Sequence, residues 1–158
     1  MYDVTLVEVP DQLVLGVQKK GRYAETASAI GEIVQYAVAN GAQFAGMPIA
    51  LMHEPDREAA ERADREGTAV IDVAFPIVKP VRSGDRVKCY ELRGGRMAKT
   101  VHRGPYDACG PAYDALFEWL GRKGLRLASL PREICLNDPR TVKPEELLTE
   151  IYAPVVKV

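Results

Sequence analysis

The sequence predicts an α+β fold in which two pseudo-symmetric ββαββ units set antiparallel sheets and two main helices around a central cleft. Three observations carry that prediction. The length of 158 residues suits one well-packed domain. The two halves are similar to each other at long range, and each repeats the same succession of β-rich and helical segments.

The similarity starts where Gly21-Arg22-Tyr23 matches Gly104-Pro105-Tyr106 at an offset of 83 residues. At that offset Tyr36 falls on Trp119, Gly41 on Gly124 and Met47-Pro48 on Leu130-Pro131. With one residue inserted, Ala50 to Pro55 lies over Ile134 to Pro139, and farther on Val70 to Ile77 lies over Leu148 to Val155, so that Asp72 stands opposite Glu150. Repeat one therefore covers about 1–80 and repeat two about 85–158, joined by a connector that bears Pro, Ser and Gly.

Each repeat opens with two extended segments, Val4 to Val9 with Leu13 to Lys19 and Val87 to Leu92 with Met97 to His102. Gly94-Gly95 between the second pair tolerates the positive φ of a tight turn, so each repeat is expected to begin with a hairpin. The first helix is predicted over 24–40, with Ile30, Ile33, Val34 and Ala37 as its apolar stripe and Gly41 as its stop. The second is predicted over 107–123, with Pro111 in its first turn, a stripe of Ala112, Tyr113, Leu116 and Leu120, and Phe117 and Trp119 on the flanks. Strands at 48–53 and 69–77, and at 133–137 and 147–156, close the repeats. The insert 54–67 is nearly all charge and alanine and reads as a solvated loop or short surface helix.

A formal net charge of −1 supplies no global field toward nucleic acid or anionic lipid, so neither is an expected partner. The N-terminus has no basic segment followed by an apolar run, and no stretch approaches a membrane span, which makes the cytoplasm the expected location. Cys89, Cys109 and Cys135 lie far apart and form no cluster of metal-ligand spacing; they read as reduced, buried small hydrophobes, and no metal or cofactor is expected. His102, at a strand end beside Arg103, reads as a surface residue.

Glu150 is the leading candidate site residue, because its strand is otherwise apolar and carries no Lys or Arg until Lys157. Alternation puts Glu150 and Tyr152 on one face, and the repeat suggests that Asp72 joins them across the cleft. A carboxylate on an aromatic wall suits an organic cation, and Tyr106, Tyr113, Trp119, Tyr36 and Phe75 are candidates for that wall.

The segments Thr100 to Tyr106, Trp119-Leu120, Leu136 to Pro139 and Pro144 to Val155 resemble the GyrI-like small-molecule-binding domain, with a likeness that extends over the whole chain as one domain, 1–158. The resemblance implies a pair of fused SHS2-like units whose cleft takes up lipophilic, often cationic, drug-like compounds, with Glu150 as the buried ligand-facing acid. Family members often carry Tyr where this sequence has Cys135, which implies a different ligand range here. Regulators of this type carry a helix-turn-helix domain ahead of the sensor, whereas this chain begins at its first strand, so direct DNA binding is not expected.

The expected function is therefore stand-alone binding of a small organic molecule, with a separate regulator, transporter or gyrase as a macromolecular partner. Two alternatives follow from the same resemblance. One is hydrolysis of reactive cyclopropane-bearing compounds, with Glu150 as an acid or base and the aromatics as a clamp, burial of Glu150 raising its pKa and letting it protonate a leaving group; the other is a gyrase-inhibitor-like interaction module.

Overall fold

The computed structural model describes residues 2–158, apart from the side chain of Asp107. In chain order its elements are β1 (Thr5–Val9), β2 (Gln12–Gly21), α1 (Thr26–Asn40), β3 (Ile49–Leu51), α2 (Arg57–Glu66), β4 (Ala69–Pro76), β5 (Lys88–Leu92), β6 (Gly95–Arg103), α3 (Gly110–Arg122), β7 (Leu125–Leu127), β8 (Arg132–Cys135) and β9 (Leu148–Lys157). The fold is mixed α+β with antiparallel strand pairing and three α-helices. The chain forms two compact units: residues 11–93, and residues 94–158 together with the N-terminal segment up to Pro10.

In the first unit β4 lies between β3 and β2, and β5 pairs with the other edge of β2. Helix α1 covers one face of this sheet, burying Ala29, Ile33 and Ala37 against Leu15, Val17, Ile71 and Val73. The stripe is rotated by one position from the expected one: Val34 is exposed, while Ile30 and Tyr36 pack at the margins. Gly41 ends α1 in the left-handed region at φ 69°, where a side chain would be strained. The charged insert forms α2, capped by the Asp56 carboxylate, which accepts from the Ala59 N–H, and stopped by Gly67. It is more than a solvated loop, since the Asp64 carboxylate accepts from the Tyr23 N–H at 2.8 Å and Glu54 accepts from the Tyr23 hydroxyl.

In the second unit β9 is the central strand. It pairs with β6 along one edge and, successively, with β8 and β7 along the other; β1 extends the sheet beyond β6. The strand β7 was not predicted: three residues are too few to show a period. Helix α3 follows a 3-10 turn at Tyr106–Ala108 and buries Ala112, Leu116 and Leu120 against Ala98, Ile151, Ala153 and Val155.

The expected opening hairpins do not form. Strand β1 pairs with β6 rather than β2, with Val7 opposite Met97, and β5 pairs with β2 rather than β6, with Leu15 opposite Cys89. Each unit thus holds the first strand of the other half of the sequence. Gly94 lies against the end of β1, where an added Cβ would sit 1.9 Å from the Val9 carbonyl oxygen and 2.5 Å from the Pro10 carbonyl carbon. The glycine serves a close approach of two backbones instead of a two-residue turn.

Gly94→Ala should therefore lower the urea midpoint, by on the order of 1–3 kcal/mol of stability, the usual cost of overpacking. Gly31→Ala, in the interior of α1 with nothing within 4 Å of its Cβ position, should add up to about 1 kcal/mol of stability through helix propensity and so raise the midpoint.

Candidate functional site

Strand alternation divides each sheet into a face covered by its helix and a face turned away from it. In the second unit Ile151, Ala153 and Val155 pack under α3, which commits Glu150, Tyr152 and Pro154 to the other face. The registers extend this across the sheet. One row runs Val101, Glu150, Ile134; the next runs Lys99, Tyr152, Arg132; and Met97 stands opposite Pro154. A carboxylate, a phenol and two basic residues are thus set among Met97, Val101, Ile134 and Pro154.

Lys99 changes the expected character of this face. Its Nζ lies 2.6 Å from Glu150 Oε2, while the Tyr152 hydroxyl donates to Oε1 of the same carboxylate at 3.0 Å. The ammonium also sits 5.5 Å from the centre of the Tyr152 ring, within cation–π range. The side chains of Glu150 and Lys99 are 15% and 29% exposed, so the pair is only partly screened by solvent. The hydrogen bond to Glu150 raises the pKa of Lys99 despite some burial. Burial, and secondarily the neighbouring carboxylate, pushes the Tyr152 phenol up. Glu150 is therefore not the isolated acid that its own strand suggested: its charge partner comes from β6.

In the first unit Asp72 also lies on the face away from the helix, since Ile71 and Val73 pack under α1. It too has a basic partner from another segment, His53, whose Nε2 lies 2.7 Å from Oδ2.

The aromatic candidates do not share the face of Glu150. Tyr113 and Trp119 pack beside the core under α3, as they must on a helix whose buried stripe covers Ile151. Tyr106, just before α3, donates its hydroxyl to Cys135 Sγ at 2.8 Å, and Cys135 stands opposite Thr149 on the helix side. A phenol therefore comes to Cys135 from a distant position. Phe75 stacks on Phe44 at 3.8 Å between centroids at the edge of the α1 core; three residues from Asp72, it takes the opposite face. Tyr36 lies over Gly84 and donates to the Arg82 carbonyl, fastening the connector to α1.

Sequence reasoning missed Lys99 and His53 as partners of the two acids. It also misplaced His102, which is 4% exposed, with Nδ1 3.1 Å from the Tyr2 hydroxyl and Nε2 3.1 Å from the Pro105 carbonyl oxygen. Alternation from Ala98, which packs under α3, would have put His102 on the helix side. All three cysteines are thiols, but only Cys109 is buried; Cys89 and Cys135, each on a sheet strand, remain partly exposed. Among the described residues no three His, Cys, Asp or Glu side chains are grouped to hold a metal ion, and no helix is long and apolar enough to cross a membrane.

Residues 2–156 match the family model of the GyrI-like small molecule binding domain. No curated protein sequence matches significantly. Among solved structures, the EcmrR C-terminal domain superposes with a TM-score of 0.86 at 22% identity, over 100% of this chain and 99% of that one. The EcmrR chain of an EcmrR–DNA complex gives 0.85 at 22% identity over 99% of this chain, which spans 58% of that longer one. A structure from Listeria innocua described as a hydrolase gives 0.65 at 16% identity, covering 98% and 92% of the two chains. SAV2435 bound to tetraphenylphosphonium gives 0.55 at 13% identity, covering 98% and 94%. At these identities the likeness concerns the fold.

On the helix side, Glu133 accepts from the Tyr113 hydroxyl. Burial raises its pKa above the ordinary carboxylate range, with the Tyr113 hydrogen bond and nearby His102 opposing the shift. An acid whose pKa is raised by folding binds more protons folded than unfolded, so it costs stability as pH climbs above the unfolded value, about 4.3. Glu133→Gln should match the wild type in stability near pH 4 and exceed it increasingly toward pH 7, read from urea midpoints across that range.

Proposed function

The chain belongs to the GyrI-like small molecule binding domain family, and on that premise we propose that it binds a lipophilic small molecule against the helix-free face of the β6–β9–β8 sheet. The observation that carries this reading is the partly buried Glu150–Lys99–Tyr152 constellation beside the accessible apolar side chains of Val101 and Ile134. Apolar surface with a few fixed polar groups is the usual composition of a small-molecule site, the first supplying affinity and the second orientation. Asp72 with His53 offers a similar polar pair on the corresponding face of the first unit. The duplication read from the sequence is supported by this parallel and by the order of long strand, helix and closing strand in both units.

Hydrolysis of a reactive small molecule at the same face is the second reading, favoured by the fold shared with the structure described as a hydrolase. In this reading Glu150, with Lys99 at 2.6 Å, is the candidate acid or base. Consumption of an activated cyclopropane in molar excess, lost in Glu150→Gln, would establish turnover; saturable binding of unchanged compound would exclude it.

The binding reading is tested with a neutral lipophilic dye, Nile red. Tyr152→Ala should weaken its saturable binding at least tenfold, about 1.4 kcal/mol, while Tyr36→Phe leaves it unchanged. Equal binding by wild type and Tyr152→Ala would remove this face from the proposal.

A further inference from the structure

The ring of Tyr152 and the carboxylate of Glu150 together make the kind of cage that takes an organic cation, and the chain fills that cage with its own ammonium. Lys99 stands directly opposite Tyr152 in the β6–β9 register, a separation of about 4.5–5.5 Å between Cβ atoms. Its strand is fixed on the other face by Ala98 and Thr100, both buried. The sheet pairing thus fixes where the Lys99 side chain starts, and its contacts with Glu150 and the Tyr152 ring hold the ammonium at the site.

Two consequences follow for a charged ligand. A cation resting on Tyr152 meets the Lys99 ammonium close by and finds both Glu150 oxygens engaged, one by Lys99 and one by the Tyr152 hydroxyl. To reach the carboxylate it must displace Lys99, leaving that ammonium partly buried without its counter-charge, which is unfavourable. An anion meets the opposite situation. An ammonium carries three N–H donors, and Glu150 occupies one edge of it.

Building on the binding reading above, we infer that this face selects lipophilic anions over lipophilic cations, with Lys99 as the residue that sets the choice. The ligand class is a hydrophobic body bearing a carboxylate, sulfonate or other delocalised negative charge.

The test uses two ions of nearly the same shape and opposite charge, tetraphenylborate and tetraphenylphosphonium, titrated calorimetrically into the wild type, Lys99→Met and Glu150→Gln. The wild type should bind the borate at least tenfold more tightly than the phosphonium. Lys99→Met should weaken the borate tenfold or more and strengthen the phosphonium, and Glu150→Gln should strengthen the borate. Phosphonium binding to the wild type as tight as that of the borate overturns the inference, as does a borate-to-phosphonium ratio that Lys99→Met leaves unchanged. If Nile red still binds in a Tyr152-dependent way in either case, the binding reading stands without the charge preference. If neither ion nor Nile red binds, the binding reading falls and the inference with it.

Discussion

The two-sided pattern of β9 is the constraint on which the rest depends. Ile151, Ala153 and Val155 have to meet the apolar stripe of α3, because that is where the second unit buries its core. A strand has only two faces, so burying those three residues leaves Glu150 and Tyr152 on the other side. A one-residue slip in the β6–β9 pairing would turn Glu150 into the core and break its pair with Lys99. The hydrophobic core thus holds the polar constellation in register without touching it.

That constellation differs from an acid on an aromatic wall in one respect, the Lys99 ammonium. An uncompensated carboxylate with 15% of its side chain exposed would carry a desolvation cost that only a bound cation could offset. Supplying the counter-charge from β6 removes that need and leaves the pair near neutral. The first unit follows a similar course with His53 and Asp72. In both, an acid on the helix-free face is matched by a basic group from another segment.

The exchange of first strands has its own physical content. Pairing β1 with β6 and β5 with β2 makes every strand pair at those positions long-range in sequence, so the opening strands cannot form as local hairpins during folding. Long-range closure costs more chain entropy before it is rewarded, which slows folding without lowering final stability. Gly94, where two backbone segments pass within contact, is where the exchange is most sensitive to a single added carbon.

Local sequence was enough for the α+β class, the two main helices and the glycine that stops the first, the closing strands, and the common face of Glu150 and Tyr152; the 3-10 turns that start both helices late were not legible in it. Each of the legible features rests on local periodicity, a glycine stop or alternation along one strand, quantities that a short window contains. It also held enough to separate Phe75 from Asp72, three residues apart on a strand, and to place His102 with Ala98. The tertiary structure alone decided which strand lies beside which: that β1 goes to β6, that Lys99 meets Glu150, that His53 meets Asp72 and that Tyr106 reaches Cys135. Those contacts join residues separated by between 19 and 94 positions, and the register that brings them together is fixed by the packing of whole sheets, which no local pattern encodes.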